Sequence, residues 1–294
     1  MGQLIVDIIN GLAFGSMYAL MALAIGITYS TTSVSNFAHG SVVMFGAMST
    51  CHLIIRLRMP LPLAILCAIV ISVLVNGLLY FCCIRPLGEL KGKPGWIITT
   101  LAANILLTNV ARLIFGYESQ PVPYVKLFGI ERIRLFGIQV YVHELVLIAI
   151  TVILGVGYTI LLKKTRFGRS VRAVAYSPST ARLMGIKSTQ VMLACFAMSG
   201  AVAAIAGSLI APYTFAIYSM TDSIGLKGFA AAVIGGMGNT LGAFTGGFAL
   251  GLVEKAASYA VTGALKDAVS FALMIIVLLL LPGGIFSAVK KRHN

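Results

Sequence analysis

The chain has 294 residues, of which 59% are hydrophobic and 10% charged, and its mean hydropathy is +0.98. A soluble domain carries about 25% charged residues, so a soluble enzyme, a secreted disulfide scaffold and a disordered regulator are excluded. The unit of organisation becomes the membrane span of about 20 residues. Lys and Arg number 22 against 8 Asp and Glu, a formal charge of +14. These basic residues sit between apolar runs, which fits cytoplasmic retention and contact with anionic membrane lipid, not nucleic acid.

The run from Met1 to Gly26 lacks a basic leader and outlasts a signal core of about 7–15 residues, so it reads as a retained first span. Apolar runs delimit about eight segments, near 4–29, 38–55, 61–84, 95–116, 144–162, 190–211, 223–253 and 267–288. In lipid each must be helical, because its backbone finds no water to bond. The expected fold class is all-α, a polytopic membrane helical bundle forming a single domain over 1–294. Two segments are interrupted. The one at 38–55 opens on Asn36-Phe37-Ala38-His39-Gly40, and the one at 223–253 contains Gly235-Gly236-Met237-Gly238-Asn239. Broken helices are tolerated at membrane depth where they are buried in protein or line a cavity. Asn36, His39, Gly40, Gly235, Gly236, Gly238 and Asn239 are therefore the candidate pathway residues. Asn36, His39 and Gly40 share one face of a helix start, where free N–H groups and partial positive charge suit a carboxylate or polar solute. His39 has a second reading, an interhelical hydrogen bond that shapes a re-entrant turn.

The connecting loops set orientation. Lys163, Lys164, Arg166, Arg169, Arg172, Arg182 and Lys187 fall in one acid-free stretch, placing loop 163–189 in the cytoplasm. Arg85, Lys91, Lys93 and the tail Lys290-Lys291-Arg292 belong on the same side. The loop at 117–143 is balanced, with Lys126, Arg132 and Arg134 against Glu118, Glu131 and the adjoining Glu144, and should lie outside. The repeated units Leu127-Phe128-Gly129-Ile130 and Leu135-Phe136-Gly137-Ile138 suggest a small β-hairpin there. The first loop carries no basic signal, so the side of residue 1 stays open. Gly11 with Gly15, Gly242 with Gly246, and Gly247 with Gly251 have helix-packing spacing. Trp96 reads as an interfacial anchor. Cys51, Cys67, Cys82, Cys83 and Cys195 form neither a metal motif nor a disulfide framework and read as small apolar packing residues.

Enzymatic constellations are missing: there is no H-E-x-x-H, no G-x-S-x-G and no phosphate loop, the nearest fragment being Gly185-Ile186-Lys187-Ser188. No cofactor or metal is implied. Intramembrane charges mark ion-coupled transport, but Asp7 and Asp267 fall near segment ends. Glu254 has Lys255 beside it, so all three read as snorkelling or locally paired.

Several strings together carry a resemblance. They are Asn36 to Gly40; Gly168-Arg169-Ser170-Val171-Arg172-Ala173 and Ala181-Arg182-Leu183-Met184-Gly185-Ile186 in the basic loop; Lys227 to Asn239; and Leu281-Pro282-Gly283-Gly284-Ile285. The chain resembles the permeases of branched-chain amino-acid ABC importers, a family that includes urea and amide members, over nearly its whole length. The resemblance implies a transport subunit in a bacterial inner membrane. Its implied partners are a second related permease, two cytoplasmic ATPases and an external solute-binding protein. It also implies a cytoplasmic coupling helix near Pro178 to Gly185, with proline at the first turn and glycine at the stop. Ala181, Arg182, Leu183, Met184, Gly185 and Ile186 would dock on the ATPase, with Arg172 and Ala173 leading in. Family members often carry an acid in this region, whereas Tyr176 to Thr180 here contains none. Any ion pair to the ATPase from that position is thereby put in doubt. The alternatives are a stand-alone ion-coupled secondary transporter or channel, which would work without ATPase partners, and an intramembrane enzyme using His39 or Glu254.

Overall fold

The computed structural model describes residues 2–87, 95–120, 132–135, 138–237, 239–259, 265–281 and 284–285. Eleven α-helices and one hairpin make up these residues. In chain order they are α1 Gly2–Thr32, α2 His39–Leu57, α3 Leu61–Leu79, α4 Gly95–Phe115, β1 Arg132–Leu135, β2 Ile138–Tyr141 and α5 Val142–Lys164. They continue as α6 Arg166–Tyr176, α7 Pro178–Leu183, α8 Ser188–Thr214, α9 Met220–Gly235, α10 Thr240–Ala257 and α11 Leu265–Leu280. Helix α3 runs on through a π-turn at Tyr80–Ile84 and a 3-10 turn at Arg85–Leu87. Six of these helices are long and apolar enough to cross a membrane. The bundle is all-α apart from the hairpin.

The interrupted segment at 223–253 is two helices. Gly236, at φ +99°, ends α9, and Thr240 starts α10 packed against it. With 16 and 18 residues, α9 and α10 are about 24 and 27 Å long, close to the thickness of a hydrocarbon core. The hairpin also differs in detail from the expectation. Arg132 pairs with Tyr141 and Leu135 with Ile138, so the second Leu-Phe-Gly-Ile unit begins and ends in paired strand residues. Residues 127–130 lie outside the described residues, as do Lys91, Lys93, Gly238 and the Lys290–Arg292 tail.

Helices α1 and α8 form the buried centre, while α3, α4 and α5 turn Leu74, Ile98, Leu113 and Ile153 outward. This distribution suits a lipid surround. The α1–α10 seam is antiparallel, running from Gly11 beside Leu252 to Gly26 beside Thr240. A methyl group at Gly15 would stand 2.9 Å from Phe248 Cα, and one at Gly46 would stand 2.6 Å from Ala204 Cα on α8. In lipid, where burial of apolar surface drives little, such close backbone contact supplies the attraction. The predicted glycine pairs thus do the packing expected of them. All five cysteines are free.

The two ends of the bundle are distinct. At one lie Asp7, the hairpin that packs on α1, and the bridge between Gln120 and Ala216. At the other, Thr31 to Ser33 meet Arg85 and the short helices α6 and α7. The N-terminal end of α1 therefore shares a face with the hairpin, opposite the basic loop.

Candidate functional site

Between α1 and α2 the chain turns back into the bundle. Ser33 takes a left-handed φ of 55°, Asn36 Oδ1 accepts from Ala38 N at 3.0 Å, and His39 begins α2. His39 is 1% exposed. Its Nε2 lies 2.9 Å from Ser199 Oγ, and Ser199 Oγ donates to Ala24 O at 2.7 Å. Ala24 is eight residues, about 12 Å, up α1 from Thr32, so α2 starts well inside the bundle. This is the re-entrant geometry expected of the 38–55 segment.

A cavity of about 210 Å³ opens here, lined by Asn36, His39 and Gly40 with Asn104 of α4 and Asp222, Gly225 and Phe229 of α9. The hydrogen bonds fix its chemistry. A serine hydroxyl has one proton, and that of Ser199 points to Ala24 O. Nε2 of His39 must then carry the ring proton and donate to Ser199, which leaves Nδ1 as an acceptor. Nδ1 has no partner among the described residues, and neither has the buried donor Asn36 Nδ2. Both atoms are buried within residues that line the cavity. A buried polar group left unpaired costs about 1–3 kcal/mol. The Nε2 contact is the interhelical hydrogen bond of the second reading of His39, since it joins α2 to α8.

The helix start contributes less than expected, because His39 N donates to Asn36 O and Ser41 N to Ala38 O. The second glycine string is placed differently. Gly235, Gly236 and Asn239 do not line the cavity; they form the tight α9–α10 turn, where Asn239 N donates to Gly236 O at 2.9 Å. Beside the first string, Ser35 Oγ lies 3.5 Å from Met237 Sδ of the second. Trp96 is not an anchor alone, since it stacks on Phe37 at 6.0 Å, and Phe37 packs on Phe229 at 5.0 Å.

Sequence reasoning missed Ser199, Asn104 and Asp222. Ser199 and Asn104 are polar residues in the middle of apolar runs, a signal that was available. Asp222 sat just outside the segment boundary drawn at 223. It also missed Lys227, whose Nζ lies 2.6 Å from Glu254 Oε1, while Tyr18 OH donates to Glu254 Oε2 at 2.7 Å. Glu254 is therefore not paired with Lys255. Adjacent residues on a helix point in different directions, so Lys255 reaches Asp7 instead, at 3.2 Å. Tyr259 also donates to Asp7, and that carboxylate pushes the phenol above the ordinary tyrosine range.

The basic loop folds as two short helices. Thr165 Oγ1 accepts from Gly168 N to cap α6, which buries Val171 and Val174 and exposes Arg169 and Arg172. Arg172 Nη1 donates back to Leu162 O. Helix α7 opens with Ser177 as its cap and Pro178 in its first turn, and its start and stop match the expectation. Gly185, at φ +80°, donates to Arg182 O, and Ile186 N donates to Ala181 O, both at 3.0 Å. That pair of bonds is the Schellman stop, which needs a residue free to take left-handed φ. Ala181 is buried against the bundle, while Leu183 and Met184 are 89% and 76% exposed. The anchored helix thus carries an uncovered apolar tip. Among the described residues no three His, Cys, Asp or Glu side chains converge as a metal site.

A multi-pass helical bundle with a polar cavity at depth and a helical knob at one end defines a membrane permease subunit. Residues 7–278 match the family described as "Branched-chain amino acid transport system / permease component", and the chain belongs to that family. The high-affinity branched-chain amino acid transport system permease protein LivH of Escherichia coli (strain K12) is 32% identical over 289 residues, 94% of this chain and 93% of the relative. BraD, the corresponding permease protein of Pseudomonas aeruginosa (strain PAO1), is 30% identical over 293 residues, 95% and 94% of the two chains. The L-arabinose transport system permease protein AraH of Escherichia coli (strain K12) is 31% identical over 149 residues, 50% of this chain and 43% of the relative. No solved structure matches.

Proposed function

We propose that this chain carries branched-chain or other small amino acids, or related amides, through the inner membrane of a bacterium as the permease of an ATP-driven importer. The observation that carries the solute class is the 210 Å³ cavity, which brings Asn36, His39, Asn104 and Asp222 into one lining. An α-amino acid brings both the ammonium donor and the carboxylate or amide acceptor that such a lining can meet. Gly40 lets α2 and α9 close on each other beside the cavity, since a side chain there would run into Thr221 O. The energy comes from ATPases docked on the α6–α7 face, with Leu183, Met184 and Gly185 at the contact and Arg172, Ala173 and Arg182 flanking it. That face is cytoplasmic, and the N-terminus of α1 and the hairpin are external, where a solute-binding protein delivers its cargo. A second, related permease completes the pathway.

Ion-coupled transport by this chain alone is disfavoured, because Lys227, Glu254, Lys255 and Asp7 are matched to one another. Purification from native membranes in mild detergent tests the reading. An ATPase and a second permease should co-purify, and in liposomes the complex should accumulate amino acid only with ATP and a binding protein. Flux by the chain alone, driven by an ion gradient, would refute it.

A further inference from the structure

A cavity of about 410 Å³ lies outside the proposed solute site, at the end of the bundle that carries α6 and α7. Its wall holds Arg85 and Arg182 and, among the described residues, no acid. The hydroxyls beside them are engaged within the chain, Thr32 donating to Thr28 O and Ser188 to Pro178 O, both at 2.9 Å. Two arginines with no carboxylate beside them are the chemistry that receives a phosphate. The surface leading to it is apolar. Along α3, Val70, Leu74, Leu78 and Phe81 are 58%, 67%, 59% and 42% exposed. Spaced at three and four residues, they form one stripe, and Arg85 is the next member. From Val70 to Phe81 the stripe is about 17 Å long, one leaflet of a hydrocarbon core about 30 Å thick. Arg85 Cζ lies 5.5 Å from the Phe81 ring centroid, so the charge sits where the apolar stripe ends. The π-turn beneath it, closed by Arg85 N donating to Tyr80 O, is a helix distortion found mostly at functional sites.

We infer that this cavity and stripe bind one anionic phospholipid, with its phosphate at Arg85 and Arg182 and an acyl chain along Val70 to Phe81. Basic pockets between spans near the cytoplasmic surface favour such headgroups. The bound headgroup would join the end of α3 to α7, so lipid composition would set how firmly the docking helix is held. That consequence rests on the proposed coupling role, whereas the site itself does not.

The test is native mass spectrometry of the full chain titrated with phosphatidylglycerol and with phosphatidylcholine of the same acyl chains. One phosphatidylglycerol should be retained in preference to phosphatidylcholine. Arg85→Gln should weaken that retention about fivefold, with Arg85→Lys restoring most of it. Lys163→Gln, at an exposed base on the same end, should leave it unchanged. Equal loss in Arg85→Gln and Lys163→Gln would overturn the site in favour of diffuse basic attraction. Full displacement of the lipid by millimolar inorganic phosphate would overturn the lipid as occupant. The readout needs no transport, so a failure of the proposed transport function leaves the result intact.

Discussion

The Lys227–Glu254–Tyr18 cluster ties three helices together, and its removal has a calculable cost. Glu254 accepts from Lys227 at 2.6 Å and from Tyr18 at 2.7 Å, and both charged side chains are 12% exposed. Removing Lys227 leaves the carboxylate with one neutral donor. Breaking a buried pair costs about 3–5 kcal/mol, and the residual exposure puts Lys227→Met near the lower end. Tyr18→Phe removes a hydrogen bond to a charged acceptor and should cost about 1.5–3 kcal/mol. The double variant Lys227→Met, Glu254→Leu leaves no stranded charge and should lie within about 1 kcal/mol of the parent, because apolar replacement of a buried pair is often neutral. The assay is chemical unfolding in mixed micelles, followed by helical circular dichroism. A double variant as unstable as the sum of its singles would refute the reasoning, because it would show that the two residues act independently.

Two further outcomes follow from the packing and the docking helix. Gly247→Leu should unfold at clearly lower denaturant, by about 1–3 kcal/mol or more, because any Cβ there meets the Ala19 backbone; Gly157→Leu, with nothing within 4 Å, should be silent. In the assembled importer, Gly185→Val forces a branched residue to φ +80° and should undo the stop of α7. ATP hydrolysis stimulated by the binding protein should fall about tenfold, a change of about 1.4 kcal/mol in coupling, and full stimulation would remove Gly185 from the coupling role.

What could be read in advance divides along physical lines. Helix positions were legible because lipid permits little else, and the α7 boundaries followed from Pro178 and Gly185, whose effects are local. The re-entrant start of α2 was visible as polar residues where a span should begin. The place of the Gly235 to Asn239 string in the α9–α10 turn was hidden because glycines serve a lining and a tight turn equally well, and spacing along one chain does not say which. The partner of Glu254 was invisible for a related reason. Lys227 is 27 positions away, and only the fold of α10 against α9 brings the two charges together. The cavity's polarity was hidden too, because it depends on where the single proton of Ser199 is spent.

These details bear on which part of the bundle has room to move. Helices α1 and α8 are locked by backbone contacts: Gly15 and Gly247 in one seam, and Gly46 and Gly207 in another. Such close-packed contacts have few alternative arrangements, and interfaces of this kind switch between discrete packings instead of sliding. Helix α9 is seamed as well, to α10 where Gly246 meets Gly235 and to α2 where Gly40 meets Thr221 and Gly225. Asp222, Gly225 and Phe229 face the 210 Å³ cavity on one side, and Ser223, Ile224 and Lys227 face a second cavity of about 270 Å³ on the other. Space on both sides does not free this wall, because a shift of α9 must break one of these seams. The Lys227 bridge to Glu254 runs across the α9–α10 seam, so the ion pair that stabilises the bundle adds to the contacts that hold the wall of its cavity in place.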